Sequence, residues 1–93
     1  MRIIGYLDIP GLVVTVFKNE NRLSVKFEKN LLEQTFKVRD DVNLSGLNEI
    51  KKLFDAQWIR EIELQFDKME KDRNAALQRY DNSLEEDAEP EIF

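Results

Sequence analysis

The chain contains no cysteine and no histidine in 93 residues. Without them there is no disulfide, no zinc centre built on thiolate or imidazole, no Cys or Ser–His nucleophile, and no histidine that titrates near neutral pH. Glycine is scarce, at three (Gly5, Gly11, Gly46), and these are scattered, so a glycine-rich phosphate loop is missing. An EF-hand loop is missing too, and so is the signature of a Ser–Lys nucleophile. The longest mainly apolar run, Leu12 to Phe17, is far short of the ~20 residues a membrane helix needs. Met1-Arg2-Ile3-Ile4-Gly5 lacks the apolar segment and cleavage site of a signal peptide, so a cytoplasmic protein with no membrane association is expected. Carboxylates are plentiful, but those on the helical part alternate with Lys and Arg, and nothing sets a pair of them in a cleft. No enzyme, no metal and no cofactor is expected.

What is present is a small domain with a highly charged exterior, 42% hydrophobic and 35% charged. Its net charge of −5 is unevenly spread. Residues 1–39 carry seven of the fourteen bases and four of the nineteen acids, a balance of +3; residues 40–93 stand at −8. The total therefore says little about what the first half binds, since a basic face can coexist with an acidic tail.

The first forty residues predict strands. Ile3–Asp8 is a short β-branched and aromatic run closed by Pro10-Gly11, a turn pair because Pro presets φ and Gly tolerates φ > 0. Leu12–Lys18 is rich in β-branched residues. Asn19-Glu20-Asn21 supplies a hairpin loop, with an Asn in the left-handed region. Arg22–Glu28 alternates, with Leu23, Val25 and Phe27 on one face and Arg22, Ser24, Lys26 and Glu28 on the other. Lys29-Asn30 is read as a tight turn and Leu31–Val38 as a fourth strand, its inward row Leu32, Gln34, Phe36 and Val38. Short connections make antiparallel neighbours, hence a four-stranded meander.

After a polar loop over 39–45, in which Asn43 or Ser45 is expected to cap, the pattern is helical from Gly46 to about Ser83. Leu47, Ile50, Phe54, Trp58, Ile62, Phe66, Met69, Ala76 and Tyr80 share one stripe, with Asp55 able to cap a second helix if the first breaks. The fold expected is α+β: a four-stranded antiparallel sheet with a long amphipathic C-terminal helix across one face. Residues 1–83 form the domain and 84–93 an acidic disordered tail. An unbroken helix over 46–82 would be about 55 Å long, against about 23 Å for a seven-residue strand. It must therefore break and fold back, or overhang its sheet. Ile59, Ile62, Phe66, Met69, Arg73, Ala76 and Tyr80 follow alternating steps of three and four, the spacing of a coiled-coil seam, and predict a homodimer interface along this helix.

On the outer face of the sheet, Arg22, Ser24 and Lys26 are expected beside Glu33, Thr35 and Lys37. Thr15 with Val13 and Phe17 comes from the second strand, and Arg2, Ile4 and Tyr6 from the first. Tyr6, Thr15, Phe17, Arg22, Lys26 and Lys37 together make a platform on which single-stranded bases can stack while cations track phosphates. The competing account is a polar face turned to water, with Val13 and Phe17 covered by a second subunit.

Four strands followed by a helix resembles the ββββα unit of Whirly and Pur-alpha proteins, and that resemblance implies single-stranded nucleic-acid binding and assembly by pairing of units. The tail from Glu85 to Phe93 resembles the C-terminal tails of bacterial and phage single-stranded-DNA-binding proteins. By that resemblance Phe93 is an anchor for a partner protein, Ile92 a second contact, and the acids before them a steering segment. In this chain Ile92 stands directly before the last Phe, where the bacterial motif has Pro. The leading expectation is a non-enzymatic, homodimeric interaction domain; the alternative is a single-stranded nucleic-acid-binding protein that uses the outer sheet face.

Overall fold

A computed structural model describes residues 1–41 and 43–87, with side chains through Leu84. Four antiparallel strands, β1 (Arg2–Leu7), β2 (Val13–Asn19), β3 (Arg22–Lys29) and β4 (Leu32–Arg39), form one sheet in sequence order. Two helices follow, α1 (Leu47–Leu53) and α2 (Ala56–Asp87). The architecture is the α+β meander-and-helix that the alternation predicts.

The register decides which side chains share a face. Val14 lies opposite Phe27 and Val16 opposite Val25, while Leu23 pairs with Val38 and Val25 with Phe36. Val14, Val16, Leu23, Val25 and Phe27 are all buried, and with Leu7 they form the floor of the core. Ile50 and Phe54 of the α1 end and Ile62 and Phe66 of α2 close it from above. Each such side chain contributes on the order of 1.5–3 kcal/mol by leaving water. Both helices therefore lie on one face of the sheet, and among the described residues no element covers the other face.

The aromatic residues tie the helix junction to β3 and β4. Phe54 stacks on Trp58 at 4.1 Å between ring centroids, and Phe27 and Phe36 approach Phe54 at 5.1 and 5.9 Å. Gln34, the polar member of the inner row of β4, donates from Nε2 to the Ile62 carbonyl oxygen at 3.0 Å. A partly buried amide is thus satisfied, and the side chain becomes a staple between sheet and helix.

Several local features differ from the sequence reading. In β1 the register slips between Ile3 and Gly5, so Ile4 is an extra residue; it packs against the core, and Arg2 lies opposite Lys18 on the inner side. Only Ile3, opposite Phe17, and Tyr6, opposite Thr15, reach the outer face from β1. In the β2–β3 hairpin the positive φ falls on Glu20 (50°) rather than on an Asn. The β3–β4 turn is Asn30-Leu31, both left-handed at 53° and 66°, so Leu31 belongs to the turn and β4 begins one residue later. Two successive left-handed residues give the twist that a two-residue hairpin demands. Pro10-Gly11 turns as expected, with the Leu12 N–H donating to the Ile9 carbonyl at 3.1 Å and Gly11 at φ 82°.

Neither Asn43 nor Ser45 caps α1; Gly46 stands at its N-cap with no side-chain bond. The helical stretch does break at Asp55, whose Oδ1 accepts the N–H of Trp58 at 2.9 Å and opens α2. The overhang persists as well, because α2 alone has 32 residues, about 48 Å. It also continues past Ser83 to Asp87, so the first four residues assigned to the tail are helical. Acid-rich composition there signals charge, and Glu is a good helix former.

Candidate binding face of the sheet

Opposite residues of antiparallel strands point to the same side, so the outer face can be read in rows. One row runs Ile3, Phe17, Ser24, Lys37, and the next Tyr6, Thr15, Lys26, Thr35. Beyond the first lie Asn19, Arg22 and Arg39; beyond the second lie Val13, Glu28 and Glu33. All six residues expected on the platform, Tyr6, Thr15, Phe17, Arg22, Lys26 and Lys37, are brought onto this one face.

Their roles in the face are unequal. Tyr6 is largely exposed, and Phe17 is half-buried under Lys26, whose Nζ lies 5.6 Å from the ring centroid. That placement favours a cation over an aromatic face. Thr15 is only 6% exposed. It forms the floor between Tyr6 and Lys26 and offers little surface to a ligand. Arg22 and Lys37 are exposed on either side of Ser24. Arg39 was missed: ending the fourth strand at Val38 kept it in a loop, whereas the register sets it directly opposite Arg22. Ile3 was missed because of the bulge at Ile4.

Charge is polarised along β3 and β4. At one end Arg22 faces Arg39, with Lys37 beside them; at the other Glu28 faces Glu33. Like charges directly opposite each other destabilise a sheet. Lys26 offsets the acidic end in part, with Nζ 4.0 Å from the Glu28 carboxylate. Nothing comparable relieves Arg22 and Arg39 among the described residues. Between the cationic end and the aromatic strip lies a shallow depression of about 400 Å³, lined by Met1, Phe17, Asn19, Arg22, Ser24, Lys26, Thr35 and Lys37. Its walls combine an aromatic ring, hydroxyls and three cations, suited to an anionic ligand with a flat apolar part.

The seam expected on the helix is divided. Ile62 and Phe66 are buried in the chain's own core, with Ile59 and Met69 packed against it. Arg73 donates from Nη1 to the Asn30 carbonyl oxygen at 2.7 Å and lies 3.8 Å from the Glu70 carboxylate. Those five residues are engaged within the chain. Only Ala76 and Tyr80 of that seam lie beyond the sheet, and both are exposed. Ile92 and Phe93 lie outside the described residues.

No helix among the described residues is long and apolar enough to cross a membrane. Comparison with protein-family models, with curated proteins and with solved structures finds no match to this chain.

Proposed function

We propose that this chain is a non-enzymatic interaction domain that works as a homodimer, with the outer face of its sheet as the ligand-binding surface. The observation that carries this reading is the bare face itself. Both helices cover one side of the sheet, while Phe17 and Tyr6 stand next to Arg22, Lys26, Lys37 and Arg39 on the side that no other described residue covers. Arg22 and Arg39 opposite one another are a cost in the free protein that an anion relieves.

Single-stranded nucleic acid is the ligand class that fits best. It supplies phosphates for the cationic end and flat bases for the aromatic strip, whereas a duplex hides its base faces. The depression accommodates only a few nucleotides, so binding is expected to be weak per site and strongly salt-dependent.

The test is fluorescence anisotropy of a labelled oligo-dT titrated with the full-length chain at low and moderate salt. Binding that weakens with salt, and that is lost in Phe17→Ala and in Lys37→Glu, supports the reading. An unchanged anisotropy at low salt excludes nucleic acid from this face.

A further inference from the structure

The outer face gathers its unpaired positive charge in one corner. Arg22, Lys37 and Arg39 stand where β3 begins and β4 ends, with Arg39 opposite Arg22 and Lys37 opposite Ser24. The acids nearest this corner do not neutralise it. Asp40 is held at 3.2 Å by Lys18, which lies opposite Leu23 on the inner side. Glu20 and Asp41 form no ion pair with any of the three cations among the described residues.

Away from the corner the cations give out in both directions. Six residues along β3, about 20 Å, Glu28 faces Glu33. Across the sheet, β2 and β1 bring Asn19, Phe17, Thr15, Val13, Tyr6 and Ile3 to this face, none of them charged. Lys26, in the middle, is shared between the Phe17 ring at 5.6 Å and the Glu28 carboxylate at 4.0 Å. A surface that tracks the backbone of a strand needs a positive groove along its whole length. Here the positive charge is confined to one end.

The shape is divided in the same way. One open depression of about 460 Å³ is lined by Asn21, Arg22, Lys37, Val38 and Arg39. It adjoins the depression that holds Phe17, and Arg22 and Lys37 line both. From Lys37 through Ser24 to Phe17 is two strand spacings, about 9.5 Å, the reach of one nucleotide from its phosphate to its base.

We infer that this face binds the phosphorylated end of a single strand, with the terminal phosphomonoester at Arg22, Lys37 and Arg39 and the first bases over Phe17 and Tyr6. This deepens the nucleic-acid reading by naming the part of the strand that is held, and it rests on that reading. A terminal monoester carries close to two negative charges at neutral pH, with three oxygens free to accept hydrogen bonds. An internal diester carries one. Two guanidinium groups and an ammonium in one corner match charge concentrated in one group. The rest of the strand is left in water, because a path down β3 and β4 would bring its phosphates over Glu28 and Glu33.

The experiment is fluorescence anisotropy of short, internally labelled oligo-dT with the full-length chain at low salt. Four oligomers are compared: one with a 5′-phosphate, one with a 3′-phosphate, one with neither, and an unphosphorylated one longer by a single residue. The last has as many phosphates as the phosphorylated ones, so it separates the terminal group from the phosphate count. A phosphate on one end is expected to tighten binding roughly five- to tenfold over both unphosphorylated oligomers, and the end that does so gives the strand its polarity. Arg39→Gln removes an exposed side chain and a like-charge pair, so the fold is not at risk. It should bring the phosphorylated oligomer down to the level of the others while weakening those by no more than about threefold. Equal binding of all four oligomers, or an Arg39→Gln chain that loses affinity for all alike, overturns this proposal and leaves the nucleic-acid reading standing. No binding of any oligomer overturns both.

Discussion

Reversing a charge at either end of the outer face should stabilise the fold but affect binding in opposite directions. Arg39 lies opposite Arg22, and Glu33 lies opposite Glu28. Arg39→Glu and Glu33→Lys each turn a like-charge cross-strand pair into an attractive one. Such pairs are worth about 0.2–1 kcal/mol. Arg22, Arg39 and Glu33 are exposed, so solvent holds the gain toward the lower part of that range, about 0.5 kcal/mol at low salt. For a domain of this size that is a rise of roughly 2–4 °C in Tm. For an anionic ligand the two changes differ. Arg39→Glu removes one phosphate contact and adds a repulsion, lowering the salt slope by about 0.7 and the affinity roughly three- to tenfold. Glu33→Lys should leave affinity equal or higher. Differential scanning calorimetry and oligo-dT anisotropy across a salt series measure the two effects. If Arg39→Glu binds as tightly as the unaltered chain, or if both variants lose affinity alike, the cationic end takes no part in recognition.

Two further substitutions probe the scaffold beneath the face. A Cβ on Gly5 would lie 2.7 Å from Leu47 Cδ2, so Gly5→Ala forces α1 away from β1 or Leu47 out of its rotamer. A loss of about 1–2 kcal/mol, read as a lower urea midpoint at unchanged m, is expected; no loss would mean that α1 is not held against β1. Asp55→Ala removes the side-chain bond to the first turn of α2 at the Trp58 N–H, the only such bond among the described residues. It should cost about 1 kcal/mol, with a red shift in Trp58 emission as the Phe54 stack loosens.

Residues whose environment repeats along the chain were legible in sequence. Leu23, Val25 and Phe27 alternate so regularly that the inner face of β3 follows from them, and the register of β2 and β4 follows in turn. The six platform residues come together for that reason. Features that depend on a single inserted or strained residue were not legible. One extra residue at Ile4 exchanges which side chains of β1 face outward, and nothing in Ile3-Ile4-Gly5 marks the bulge except the glycine after it. Leu31 in a left-handed turn runs against its own preference, so propensity reads it into the strand. The helical stripe was legible as a buried face, but periodicity reports that a face is covered and is silent on what covers it. Ile62 and Phe66 turn out to serve the chain's own core, while Leu77 and Leu84, overlooked beside Ala76 and Tyr80, carry the stripe past the sheet.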